Sequence, residues 1–541
     1  MKFLKRNNRL GLFGLALLTV VMFGLAAPES AFSSNAGDGK TRRRADKALR
    51  EGEYETAAQL FRELLADDVH DHQARLGLSF ALLKQRLLRD AYDHAARVIM
   101  ADPLSARAHA LLGATILAGG DFRDSVEEFK TALSIQENES LAIAGLAMVD
   151  FYENRLESSI RGLRRAVELD SSEPDYIFNL GQATARSEKY KEAADAYERF
   201  LAIAPKTDSD RRARIRGLID FLRYLGKQSA LYVLTGKNKT DVIFESADGR
   251  PVLNVRINGG KENLKFVLDT GSGMSVVSEV TARKLGLRPV ARGGLARAVG
   301  GGGKFEIVYG FLSSLELGDV KVDSVPVYIR HFYDGTTPVD GYLGLSVISR
   351  FIAALDYSNS SFSLRRGVEV PLTRPHVAGR APTSLPDVIE IPVRTTSSGF
   401  ISGEVRVDGI EKPLNFIIDT GASISVVSEK LAEQEDLANF LQPTRMRVFG
   451  AAGIAEDVKM VLLPRVMLGT FVRENVGAAV LDLEPLNETA GFTQNGILGA
   501  NFLRHFRVSF DFQRGLIRLE PLKSRLGSEN TSSSTYVAPT Q

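Results

Sequence analysis

The chain contains no cysteine and no tryptophan, and only seven histidines among 541 residues. Without thiols, disulfides, cysteine nucleophiles and cysteine-based zinc sites are excluded. Charge of either sign is not in excess: 68 Lys and Arg stand against 66 Asp and Glu. That balance gives no reason to expect nucleic acid as a partner, and aromatic and basic residues form no pattern that would bind it. A Ser–His hydrolase has little support, because no Gly-x-Ser-x-Gly elbow occurs and His331, His376 and His505 are scattered. His70 and His72 fall beside Asp67, Asp68 and Asp71 without ligand spacing and read as a solvated turn, so no metal is expected. Gly39-Lys40-Thr41 has Ser34 where a phosphate loop needs glycine, and no strand precedes it. No cofactor is expected.

What is present falls into distinct segments. Met1 to Arg9 carries Lys2, Lys5, Arg6 and Arg9, and Leu10 to Ala27 is uncharged and mostly apolar. A basic start before an apolar run reads as an export signal over residues 1–36, cleaved after Ser33 or Ala36 or retained as a membrane tether through residues 10–27. An exported, periplasmic or otherwise extracytoplasmic protein is the expectation.

Further on, small residues recur every 34 positions: Ala57, Ala91, Ser125, Ser159 and Ala193. Large residues flank them in register, with Tyr54, Leu88, Phe122, Leu156 and Tyr190 three positions before. The small residue lets two helices approach while its neighbours fill the groove. With Leu112-Gly113 and Leu180-Gly181 in the first helices of two units, residues 38–207 resemble five tetratricopeptide repeats that lack the family's usual Trp. Residues 208–228 predict a capping helix, acidic at its start and lined on one face by Ile215, Leu218, Ile219, Leu222 and Leu225. The resemblance implies a concave face for a peptide or partner protein; a plain spacer is the alternative.

From about residue 229 helical spacing gives way to short β-branched runs between Gly, Pro, Asn and Asp, the grammar of strands and turns. This region is written twice. Phe266-Val267-Leu268-Asp269-Thr270-Gly271-Ser272 is repeated as Phe416-Ile417-Ile418-Asp419-Thr420-Gly421-Ala422, and both run on into Ser-Val-Val-Ser-Glu. Val255 to Gly259 matches Val405 to Gly409, Asp340 to Gly344 matches Asn495 to Gly499, and Ala354 to Tyr357 matches Ser509 to Phe512. The copies span 229–366 and 387–524, with a proline-bearing linker at 367–386 and a Ser/Thr-rich, unstructured tail at 525–541. An aspartate ending a buried strand is costly unless it has a partner, and two such strands make each Asp the partner of the other. Carboxylates held face to face share a proton, which places an acid and a base at one point, ready to activate water.

These landmarks resemble the retropepsin-like aspartic proteases over residues 240 to 522. The resemblance implies an all-α solenoid followed by tandem all-β barrels that form a pseudo-twofold dimer within one chain. Asp269 and Asp419 would be catalytic, on loops completed by Thr270, Gly271 and Ser272 and by Thr420, Gly421 and Ala422. The threonine hydroxyls would bond across to the opposite loop. Glycine-rich flaps are expected at Gly300, Gly301, Gly302 and Gly303 and at Gly450 and Gly453. Leu343-Gly344 and Leu498-Gly499 would pack beneath the loops. Ser272 stands where the other copy has Ala422, so an extra hydroxyl bond is expected to make Asp269 the more acidic of the pair. The implied function is an exported aspartic endopeptidase acting on a peptide or protein substrate that the repeats recruit. The rival is a peptide-binding scaffold with a non-catalytic protease domain.

Overall fold

A computed structural model describes residues 36–333, 338–367 and 389–522. The expected signal segment before Ala36, the linker beyond Gly367 and the carboxy-terminal tail fall outside those residues. Five antiparallel helix pairs come first, from Ala36–Glu51 with Tyr54–Asp67 to Pro174–Arg186 with Tyr190–Ile203. The small residues of the 34-residue register, from Ala57 to Ala193, all have 0% exposure, because the neighbouring helix passes directly over them. A second 34-residue register was not read from the sequence. Gly52, Arg86, Gly120, Asn154 and Glu188 all have positive φ, between 60° and 92°, at the turn inside each pair. Only two are glycine, so their common left-handed conformation is visible in the backbone and hidden in the residue types.

The β region forms two lobes built on one plan. In each, a hairpin delivers the motif aspartate: Arg250–Ile257 with Leu264–Leu268 before Asp269, and Ile401–Val407 with Leu414–Ile418 before Asp419. The delivering strand is also paired in parallel with a short late strand, Gly341–Leu343 in the first lobe and Gly496–Leu498 in the second. Hydrogen-bonded on both edges and covered on both faces, this strand ends in an unbroken apolar run, Phe266–Leu268 in one lobe and Phe416–Ile418 in the other.

The lobes are joined by a six-stranded antiparallel sheet, in the order Lys239–Ile243, Ser361–Arg366, Phe351–Asp356, Phe506–Asp511, Leu516–Pro521 and Ile389–Thr395. Its central pairing sets Ala354 opposite Ser509, so landmarks that correspond in sequence meet across the pseudo-twofold axis. Asp356 and Asp511 in these strands cap turns: Asp356 accepts from Ser358 Oγ at 2.6 Å and Asp511 from the Arg514 N–H at 3.1 Å.

The solenoid is docked on both lobes. From the second lobe, Phe492 enters the helical core at 0% exposure and meets Phe122 and Tyr152 edge to face at 4.9 and 5.0 Å. Nearby, the Thr493 N–H donates to Ala118 O at 2.9 Å, and Arg186 donates to the carbonyls of Thr395, Thr396 and Ser397. On the first lobe the contact is the last helix, Ser209–Leu225. Ile215, Ile219 and Leu222 of its expected apolar face are buried on the solenoid, Leu225 packs in the cluster of Phe221 and Tyr309, and its other side meets the lobe. Phe221 stacks on Tyr309 at 4.2 Å, Arg214 donates to Leu295 O at 2.9 Å, and Asp210 pairs with Lys304 at 2.6 Å. Gly217 allows this approach, since a Cβ there would run into the backbone of Arg292 and Gly293. The helix is therefore a wedge between repeat array and protease lobe as well as a cap.

Removing the Phe492 ring should cost about 3–5 kcal/mol. Phe492→Ala should lower the thermal midpoint and raise hydrogen exchange in the helices Ala106–Gly119, Phe122–Ile135 and Ser140–Tyr152, although the residue belongs to the second lobe.

Candidate active site

Each catalytic-loop candidate sits where its strand leaves the sheet. The Asp269 N–H donates to Leu343 O and the Asp419 N–H to Leu498 O, both at 3.0 Å, so the late strands fix where the loops turn. Gly344 and Gly499, one residue on, donate to Ser275 Oγ and Ser425 Oγ at 3.0 and 3.1 Å. The Leu343 and Leu498 side chains are fully buried beneath.

Between the loops the threonines form a reciprocal clasp. Thr270 Oγ1 donates to Ile418 O and Thr420 Oγ1 to Leu268 O, both at 2.7 Å. Each hydroxyl also accepts from the opposite threonine's N–H, at 3.0 and 3.2 Å. Four bonds with no exposure to water hold the loops in one relative position. Glycine follows each threonine because the opposing carboxyl occupies the space a side chain would need: a Cβ on Gly421 would lie 2.6 Å from Asp269 Oδ1, and one on Gly271 would overlap Asp419.

The two carboxyls hydrogen-bond to each other within this single chain. Burial, then the charge of Asp419, pushes the Asp269 carboxyl well above the ordinary carboxylate range. Burial also raises Asp419, and the Gly421 N–H that bonds to it opposes the rise. The Gly421 N–H lies at 2.7 Å from Asp419 Oδ1, and the Gly271 N–H at 2.9 Å from Asp269 Oδ1. The hydroxyl of Ser272 does not make the bond expected of it: it turns away and donates to Met274 O at 2.7 Å, leaving no extra bond for Asp269.

The flap glycines lie at hairpin tips above the dyad. Gly300 to Gly303 follow the strand Ala291–Arg297, and Gly450 and Gly453 flank the turn between Leu441–Gly450 and Gly453–Leu468. Gly300, Gly301 and Gly302 take positive φ, and the tips touch: Gly300 rests on Gly450 and Gly301 on Gly453. Val299 packs with Met446 and Val448 of the other hairpin.

One cationic side chain in the cleft was not singled out from sequence. Arg330 ends the strand Val320–Arg330, lies over the Phe305 ring of the first flap at 4.1 Å, and donates to Ala451 O at the second flap's tip. Its charge acts on Asp269, drawing that carboxyl downward against the larger effects of burial and of Asp419.

Dyad, flaps and solenoid share one cavity of about 2170 Å³. Its walls include Asp269, Asp419, Gly300 and Ala451 from the protease side and Phe80, Met148, Asn179 and Arg186 from the inner helices. The concave face of the repeat array therefore opens onto the dyad. Among the described residues no cluster of three or more His, Asp or Glu could hold a metal ion.

A strand-delivered pair of carboxyls under paired flaps defines the fold and site of an aspartic protease domain. Family comparison agrees: residues 253–347 and 403–502 match the aspartyl protease family, and residues 48–114 and 145–207 match tetratricopeptide repeats. The chain thus carries an aspartyl protease domain in two segments behind amino-terminal tetratricopeptide repeats. Among solved structures, it is similar to a thermophilic TPR protein of Thermus thermophilus, at 19% identity over 34% of this chain and 98% of that one, TM-score 0.30. It is also similar to MamA from Desulfovibrio magneticus RS-1, at 21% identity over 32% of this chain and 98% of that one, TM-score 0.23. No curated protein matches the chain.

Two outcomes follow from the clasp and the dyad. Thr420→Val leaves Leu268 O and the Thr270 N–H unmet in a dry site, costing about 1–3 kcal/mol per group, whereas Thr420→Ser should retain most of the stability in denaturant titration. For pH, the folded carboxyls hold protons more tightly than the unfolded chain does. Their contribution to stability is fully present below the ordinary carboxylate range, near pH 4, and is lost as pH rises toward the raised folded values. Asp269→Asn should flatten that decline and be more stable than wild type at neutral pH.

Proposed function

We propose that the protein is an exported aspartic endopeptidase in which the repeat array recruits a substrate or partner protein. The observation that carries this reading is the hydrogen-bonded pair Asp269 and Asp419, locked by the threonine clasp at the floor of a covered cleft. The pair shares one proton, and water bound between the carboxyls is the nucleophile. The carboxyl that is ionised takes a proton from that water as the base. The protonated one donates to the scissile carbonyl oxygen as the tetrahedral intermediate forms. The roles then reverse to protonate the leaving amine. An extended peptide would lie beneath the flap tips and bond to them by strand addition, with the flaps excluding bulk water.

Export rests on the basic start and the apolar run from Leu10 to Ala27. Recruitment rests on the shared cavity, which leads from the inner helices to the dyad.

Purified protein should cut unstructured peptides with a bell-shaped pH profile whose alkaline limb lies above the ordinary carboxylate range, because the proton shared by the pair is held tightly. Asp269→Asn and Asp419→Asn should each lower kcat/KM by about 10²–10⁴-fold. Peptides that bind and stay intact across the acid-to-neutral range would favour a non-catalytic scaffold.

A further inference from the structure

The two lobes repeat their backbone closely enough to compare cleft positions by register. In the first lobe Ser278 pairs with Arg330; in the second the equivalent Ser428 pairs with Leu481. Both partners end the corresponding strand, and both line the cavity. One pseudo-twofold position is thus a guanidinium and its counterpart an isobutyl group. Leu481 is buried in an apolar cluster with Val426 and Val458, against Val299 and Val448. Arg330, by contrast, makes no ion pair among the described residues, and its buried Nε has no hydrogen-bond partner there. Among the described residues it donates to the flap carbonyl of Ala451 and lies over the face of Phe305. A guanidinium in a cavity wall without an ion pair favours an anionic ligand, and a carboxylate is the group that pairs with it best.

We infer that Arg330 is a specificity-determining residue, and that the substrate is a peptide segment with a Glu or Asp side chain on one side of the scissile bond and an apolar side chain at the symmetry-related position on the other. This rests on the protease reading for its chemistry and on the register of the two lobes for its asymmetry. The carboxylate pairs with the part of the Arg330 guanidinium that faces the cavity, and the apolar side chain packs against Leu481.

The test compares matched peptides that differ only by Glu or Gln at each position around the cleaved bond, using the full chain. At one position on one side, Glu should exceed Gln in kcat/KM by about 10–100-fold, the range of a charge-assisted bond. Arg330→Leu should bring that ratio near one and shift preference at that position toward apolar residues. Arg330→Lys should keep part of the ratio, and it decides the matter if the leucine variant does not fold. The same peptides are titrated by fluorescence anisotropy onto Asp269→Asn and onto Asp269→Asn carrying Arg330→Leu. A Glu preference in binding that vanishes with Arg330 supports the assignment even where wild type cuts nothing, a result that would overturn the protease reading alone. Equal treatment of Glu and Gln at every position, or a preference that survives Arg330→Leu, overturns the assignment.

Discussion

Two carboxyl groups buried within hydrogen-bonding reach cannot both carry full charge, and the β region is arranged to hold them in that situation. Left to itself the pair would separate or hydrate. The threonine clasp prevents separation by making each loop's backbone depend on the opposite hydroxyl. The late strands prevent rotation, since each aspartate N–H is tied to a fully buried leucine's carbonyl. The glycines remove the only atoms that would keep the carboxyls apart. What this arrangement stores is a proton held more tightly than an ordinary carboxyl holds one.

The helical array belongs to the same device. Phe492 reaches from one lobe into the repeat core, and Phe221 reaches from the last repeat helix onto the other lobe's flap-bearing sheet. The outer strand of the first flap, Ala291–Arg297, lies against the wedge helix, whereas the second flap's outer strand, Leu441–Gly450, is largely exposed. The flaps meet at their tips with unequal support.

How much of this could be read beforehand depended on where each property is encoded. The motif aspartates, the glycines after them and the late Leu-Gly segments were legible because local geometry admits few residue types there, and the duplication marked them twice. The repeat spacing was legible for the same reason: one small residue per helix contact. The left-handed turns from Gly52 to Glu188 escaped because three of the five positions carry side chains that disguise the conformation. Ser272 misled because a hydroxyl beside a carboxylate suggests a bond, while the loop aims it at Met274 O. Phe492, Gly217 and Arg330 draw their meaning from segments far away in the chain, and only the assembled register shows that Arg330 and Leu481 are counterparts.

The sheet that spans the lobes has a further consequence. Where such a site is divided between separate polypeptides, its existence depends on how many copies are nearby, and dilution dismantles it. Here Phe351–Asp356 and Phe506–Asp511 are neighbouring strands of one chain. The half-sites find each other once, during folding, and dilution leaves them together.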